Sequence, residues 1–63
     1  MIEVGKIYLI KSANNIRSLK CVTETKTCYM FSDCIEDADI YIEKKNITKE
    51  PEFFKYQLLE EIG

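Results

Sequence analysis

The three cysteines are the side chains best suited to chemistry in this sequence. Cys21, Cys28 and Cys34 are separated by six and five residues, unlike the short Cys-x2-Cys pairs of structural zinc sites. Histidine is absent, so neither a Cys–His catalytic pair nor a histidine-containing zinc site can form. We therefore expect a protein that is not an enzyme and holds no metal and no cofactor.

Acidic residues around the third cysteine form a weaker candidate site. Asp33 and Asp37 lie close to Cys34 in sequence, and Asp37-x-Asp39 resembles the start of a calcium loop. The glycine and the terminal glutamate that such a loop requires are missing. We interpret this stretch as a solvated acidic turn.

The number of cysteines and the first residues of the chain indicate the cellular compartment in which the protein is expected. Cys21 and Cys28 would face each other across a hairpin if its loop had two or four residues, but the odd cysteine count favours reduced thiols. The start Met1-Ile2-Glu3 lacks the pattern of a signal peptide. The longest apolar run, residues 7–10, is far shorter than the roughly 20 residues that cross a bilayer. We expect a cytoplasmic protein with no membrane partner.

Charge is divided unevenly along the chain. Residues 1–31 contain five Lys or Arg and two acidic residues, whereas residues 32–63 contain four Lys and nine acidic residues. The balances of +3 and −5 recover the net charge of −2. The positive half predicts attraction of an acidic partner, although five cations fall short of the strongly basic domains typical of nucleic-acid binders.

A binding surface is predicted on the first hairpin. Its cations would steer an acidic protein, its asparagines offer donors and acceptors on a loop, and its arginine suits a carboxylate or phosphate. The alternatives are that these side chains only keep the sheet edge soluble, or that binding uses an aromatic face made of Tyr8, Tyr29, Phe31 and Tyr41. The predicted binding residues are Lys11, Asn14, Asn15, Arg17 and Lys20.

The elements that would position these residues are strands. Alternating and β-favouring residues predict strands at about 3–11, 16–24, 27–33 and 39–44. Asparagines favour a turn at residues 12–15, because Asn tolerates positive φ. The reversal at residues 23–26 contains no glycine, so its loop should exceed two residues.

The C-terminal segment has two interpretations. Phe54, Leu58 and Ile62 recur at helical spacing after Pro51, which predicts a short helix at about 51–62. The rival is a fifth strand at residues 53–58. Glu60 and Glu61 oppose the helix dipole and count against the helix.

Both faces of the predicted sheet are apolar, so the sheet must curl or be covered by the helix. We assign Tyr8, Ile10, Tyr29, Phe31 and Tyr41 to one face, but the length of the loop between the second and third strands could exchange Tyr29 and Phe31 with Cys28 and Met30. The other face would then carry Ile7, Leu9, Leu19, Cys21, Ile40 and Ile42.

Three short segments resemble a known strand pattern. Val4-Gly5-Lys6-Ile7-Tyr8, Tyr29-Met30-Phe31-Ser32-Asp33 and Asp39-Ile40-Tyr41-Ile42 are similar to the strands of SH3-like small barrels, in particular Tudor-type domains. The resemblance covers residues 4–47 and implies a mainly β (α+β) fold, a four-stranded antiparallel meander curled into a barrel with the C-terminal helix. Tudor-type domains bind methylated Lys or Arg in an aromatic cage, but the loop at residues 12–15 supplies no aromatic residue.

We expect one domain over residues 1–63, because 63 residues leave no room for a second core. Size and the lack of catalytic groups favour a protein-binding module, an adaptor, modulator or inhibitor, whose partner has an acidic surface. By analogy of size, bacteriophage accessory proteins are of this kind. The alternative function is nucleic-acid binding through the basic hairpin, and exposed strand edges also suggest a homo-oligomer.

Overall fold

The fold is described by a computed structural model that covers residues 2–49 and 55–63. One short 3-10 turn, Lys44–Asn46, interrupts a succession of strands. The strands are β1 (Ile7–Ser12), β2 (Asn15–Glu24), β3 (Cys28–Asp33), β4 (Asp39–Glu43), β5 (Ile47–Thr48) and β6 (Tyr56–Glu61).

The strands form one sheet in the order β4-β3-β2-β1-β6-β5, and it curls into a half-barrel. All neighbours are antiparallel except the short parallel pair β5–β6. The mainly β, curled architecture predicted from sequence is confirmed at this level and is compatible with an SH3-like barrel. The prediction of four strands is wrong, since residues 2–49 and 55–63 already contribute six strands to the sheet.

The predicted C-terminal helix is wrong. Residues 56–61, within its range, form β6, which pairs with β1 from Tyr8↔Glu61 to Ser12↔Tyr56. Strand β1 pairs with β2 along one edge only. The N–H and C=O groups along its other edge need hydrogen-bond partners, and β6 provides them. The rival prediction of a fifth strand is closer to the structure, although its start at residues 53–54 lies outside the described residues.

The first strand begins later than predicted because the chain turns at Gly5. Gly5 has a φ of +94°, a conformation that L side chains rarely adopt, and its N–H donates to the carbonyl of Cys21 over 2.7 Å. This turn returns Ile2 to the core, where it is buried. The phenolic hydroxyl of Tyr8 accepts the Glu3 N–H at 2.8 Å and holds this N-terminal segment against the sheet.

The two tight connections follow different chemistry. In the β1–β2 hairpin the positive φ predicted for an asparagine falls on Ala13, at 53°. The β2–β3 connection has three residues, as the missing glycine predicted. There the Thr25 hydroxyl accepts a hydrogen bond from the Cys28 N–H at 2.9 Å. This side-chain hydrogen bond stabilises a loop that contains no glycine.

The inner face of the half-barrel carries the core. Directly paired residues share a face, so the pairs Tyr8↔Leu19 and Cys21↔Phe31 place members of both predicted apolar sets on one side. The alternative in which Phe31 shares a face with Cys21 is therefore the one found, whereas the placement of Tyr41 with Tyr8 is wrong, since Tyr41 points outward and is 67% exposed. The buried apolar residues are Ile2, Tyr8, Ile10, Leu19, Cys21, Tyr29, Phe31 and Ile42.

The three cysteines occupy different environments. Cys21 is buried opposite Phe31, Cys28 is half-buried opposite Glu43, and Cys34 is exposed after β3. The cross-strand pairing of Cys21 with Cys28 does not occur, because the three-residue loop and a bulge between Cys21 and Thr23 set another register. All three thiols are free.

Candidate hairpin surface

The five residues predicted to bind are divided between the two faces of the sheet. Lys11 and Lys20 lie on the outer face, where their strand partners are Ile16 and Ile7. Arg17 lies on the inner face opposite Ile10, at the open end of the half-barrel. Two more predicted residues occupy the hairpin end: Asn14 in the turn and Asn15 at the start of β2.

Arg17 lies beside two carboxylates, one from Asp33 at the end of β3 and one from Glu36 in the connection that follows. Its Nη1 lies 3.7 Å from Oδ2 of Asp33, and its Nη2 lies 4.0 Å from Oε2 of Glu36. Asp33 is buried, whereas Arg17 and Glu36 remain largely exposed. The cation predicted to meet an acidic partner is thus already beside two anions of its own chain.

Asp33 organises the β3–β4 connection. Its Oδ1 accepts backbone N–H groups from Ile35 at 2.8 Å and from Glu36 at 3.0 Å. These hydrogen bonds from Glu36 and Ile35, with a smaller contribution from Arg17, lower the pKa of Asp33, whereas burial opposes the shift. The carboxylate of Asp33 therefore stays charged at neutral pH and shapes the loop that follows.

The β3–β4 connection is fastened beside β2. The Cys34 N–H donates to the Ser18 carbonyl over 3.0 Å, and the Asp33 N–H donates to the Ala38 carbonyl over 2.8 Å. Between these anchors Asp37 adopts a positive φ of 51°. The connection leaves Ile35 projecting into solvent with 83% of its surface exposed.

A second exposed isoleucine lines the same groove as Arg17. Ile16 in β2 is 58% exposed on the outer face. Together the two isoleucines and their polar neighbours line one groove that wraps around the start of β2. We call the hairpin surface the set Asn15, Ile16, Arg17, Ser18, Ile35 and Glu36.

Two of the five predicted residues, Asn15 and Arg17, belong to the hairpin surface. Sequence reasoning missed its apolar members, Ile16 and Ile35. The sequence carries a weak signal for the second, since Ile35 is an isolated apolar side chain in an acidic connection with no strand to bury it. Nothing in the sequence indicates that this connection would lie against β2.

The uneven charge along the chain does not become two separate charged surfaces. Lys6 lies 3.8 Å from Glu61, and Lys44 is hydrogen-bonded to Glu24, so cations and anions from both halves meet. Lys11 and Lys20 differ, because neither forms an ion pair with any residue in the described ranges. These two lysines border the hairpin surface on its outer side.

Lys44 forms a structural clamp at the opposite end of the sheet. Its ammonium group binds the Glu24 carboxylate and lies 5.1 Å from the centroid of the Tyr29 ring. The hydrogen bond to Glu24 is the main reason that the pKa of Lys44 is raised. The contacts connect β2, β3 and the turn after β4.

Binding through the predicted aromatic face would have to use Tyr41. Tyr8, Tyr29 and Phe31 are buried in the core and cannot surround a ligand without unfolding. Among residues 2–49 and 55–63, no cluster of three Cys, Asp or Glu side chains is placed to hold a metal ion. No helix of the described chain has the length and apolar character needed to span a membrane.

The described residues form a small, mainly β, curled half-barrel. In comparisons with known proteins, no family model, no curated protein and no solved structure matches this chain.

Proposed function

We propose that this chain is a non-enzymatic, cytoplasmic protein-binding module that contacts an acidic partner through the hairpin surface. The observation that carries the proposal is that two exposed isoleucines, Ile16 and Ile35, line the same groove as Arg17. Exposed apolar side chains around an arginine resemble the centre of a protein interface, where Arg is enriched. The curled antiparallel sheet supports assigning the domain to the SH3-like barrels.

The sizes of the expected binding free energies give the apolar and the charged residues different roles. Complete burial of an isoleucine contributes about 1.5–3 kcal/mol. An exposed lysine ion pair contributes at most about 1 kcal/mol. Ile16 and Ile35 would therefore provide most of the affinity, while Lys11 and Lys20 would steer an acidic surface to the site.

Nucleic-acid binding is less well supported by this geometry. Glu36 lies within the hairpin surface, and together with Asp33 it neutralises Arg17. A phosphate backbone binds mainly through cations, and beside this surface only Lys11 and Lys20 are free of an ion pair in the described ranges, whereas an acidic protein can also bury the isoleucines. Exposed isoleucines also gain little from contact with phosphate.

Affinity purification from cells that naturally express the protein tests the proposal. Proteins retained by the wild type should be lost with Ile35→Asp and kept with Ile62→Asp, a matched change at a 48% exposed isoleucine after β6. With the purified partner, Ile35→Asp should weaken binding by about tenfold or more. Equal loss in both variants, or retention of nucleic acid that falls steeply with salt, would contradict the proposal.

A further inference from the structure

Strand β4 has an outer edge that lies apart from the hairpin surface. In the sheet order β4 is terminal, and it pairs with β3 along its other edge. Hydrogen bonds join Asp33 N–H to the Ala38 carbonyl and Lys44 N–H to the Thr27 carbonyl. Antiparallel pairs alternate between bonded and non-bonded, so this pattern directs the backbone groups of Ile40 and Ile42 toward β3.

The remaining residues of β4 direct their backbone groups away from the sheet. Asp39, Tyr41 and Glu43 each present one N–H and one C=O at this edge. No other strand in the described ranges pairs with them. Their side chains lie on the outer face and are exposed, with Tyr41 between the two carboxylates.

The charged side chains of β4 and of the connection before it are all acidic. Residues 34–43 contain four acidic residues and no Lys or Arg. Lys45 lies 3.4 Å from Glu43 and partly neutralises it, which leaves Asp39 as the more open anion. An incoming strand would therefore meet an apolar aromatic ring flanked by negative charge.

We propose that the edge of β4 binds an extended basic segment of another protein by strand addition. Its backbone would pair with Asp39, Tyr41 and Glu43, as in other complexes that extend a sheet. Cross-strand complementarity assigns a basic residue opposite each carboxylate and an apolar or aromatic residue opposite Tyr41. The intervening residues would be β-branched and would extend the inner face beside Ile40 and Ile42.

A second copy of this chain fits the edge poorly. Antiparallel pairing of two β4 strands about Tyr41 places Asp39 of one copy opposite Glu43 of the other. Like charges directly opposite each other destabilise a sheet pair. The same carboxylates thus favour a basic segment and disfavour self-association.

Titration with the peptide acetyl-Ser-Lys-Val-Tyr-Val-Lys-Ser-amide tests this inference. Amide chemical shifts and slowed hydrogen exchange should identify Asp39, Tyr41 and Glu43. The same peptide with both lysines replaced by glutamate should bind much more weakly. Equal binding of the acidic peptide, or shifts confined to the hairpin surface, would overturn the proposal.

Two variants separate the charge contribution from the backbone contribution. Asp39→Lys should weaken binding by about fivefold, whereas Glu60→Lys, the same charge change on β6, should have no effect. Tyr41→Pro removes one outward N–H and should weaken binding by about tenfold, because the incoming strand loses one hydrogen bond. The variant should still fold, because proline is tolerated on an edge strand where the N–H faces solvent. Should Tyr41→Pro unfold the sheet, the comparison of Asp39→Lys with Glu60→Lys still decides. Concentration-dependent dimerisation of the wild type in sedimentation would instead assign the edge to a second copy and overturn the proposal.

Discussion

Arg17 Nη1 and Asp33 Oδ2 lie 3.7 Å apart at the open end of the half-barrel, although sixteen positions separate the two residues in the chain. Each sits on the inner face, Arg17 opposite Ile10 and Asp33 opposite Leu19. The contact links the first hairpin to the connection between β3 and β4. We expect this contact to stabilise the hairpin end of the sheet and to fix the position of Arg17 within the hairpin surface.

Stability should depend on pH through Asp33. The folded state lowers its pKa, so the unfolded chain takes up the proton first as pH falls. The contribution of Asp33 is complete above the ordinary aspartate pKa of about 4 and is lost as pH falls through the folded value. Urea midpoints measured between neutral and acidic pH should therefore decline less in Asp33→Asn than in wild type. Asp39→Asn is the control, and a decline in Asp33→Asn as steep as in wild type would show that Asp33 is not the group responsible.

Charge reversal at Arg17 should destabilise the domain, unlike charge reversal at Lys20. Arg17→Glu places a third carboxylate beside Asp33 and Glu36, whereas Lys20 has no ion pair in the described chain. Thermal unfolding should show a lower midpoint for Arg17→Glu and a nearly unchanged midpoint for Lys20→Glu. Equal midpoints would mean that the Arg17 contacts do not stabilise the fold, and Lys20→Glu is the cleaner variant for testing electrostatic steering.

Leu58 should stabilise the fold through its place in β6. It packs against the core opposite Ile10, whereas Ile62 after the strand is 48% exposed. Because Leu58 is only partly buried, Leu58→Ala should cost about 2 kcal/mol, at the lower end of the range for core truncations. Ile62→Ala should cost less than about 0.5 kcal/mol. Denaturant unfolding measures both, and equal midpoints for Leu58→Ala and wild type would mean that β6 adds nothing to stability.

The three thiols should react in the order of their exposure. Cys34 is exposed and should be modified first by a thiol reagent, followed by half-buried Cys28. Burial, with the nearby charge of Glu24, raises the pKa of Cys21, so its reactive thiolate is scarce in the folded protein. Counting modified thiols by intact mass should give three only after unfolding. Fewer than three after unfolding, or one bound zinc per chain, would contradict reduced and metal-free cysteines.

Local residue patterns were sufficient to locate β1 to β4 and the three-residue β2–β3 loop. Val, Ile, Tyr and Thr in short alternating runs favour strands wherever the chain lies, and a turn without glycine needs extra length. These preferences act between residues near each other in sequence. They predicted the mainly β class and also that a sheet with two apolar faces must curl or be covered by a helix.

Tertiary contacts decided the rest. Phe54, Leu58 and Ile62 have helical spacing in the sequence, but the open edge of β1 offers hydrogen bonds that an extended segment can use and a helix cannot, and residues 56–61 pair with it as β6. Register placed Tyr41 outside and divided the predicted binding residues between two faces, because a shift of one residue reverses every side chain. The meeting of Arg17 with Asp33 and Glu36 depends on the path of a connection that lies far from Arg17 in sequence. Composition along the chain cannot predict such a charge pairing, because it records how many charges there are and not which ones become neighbours.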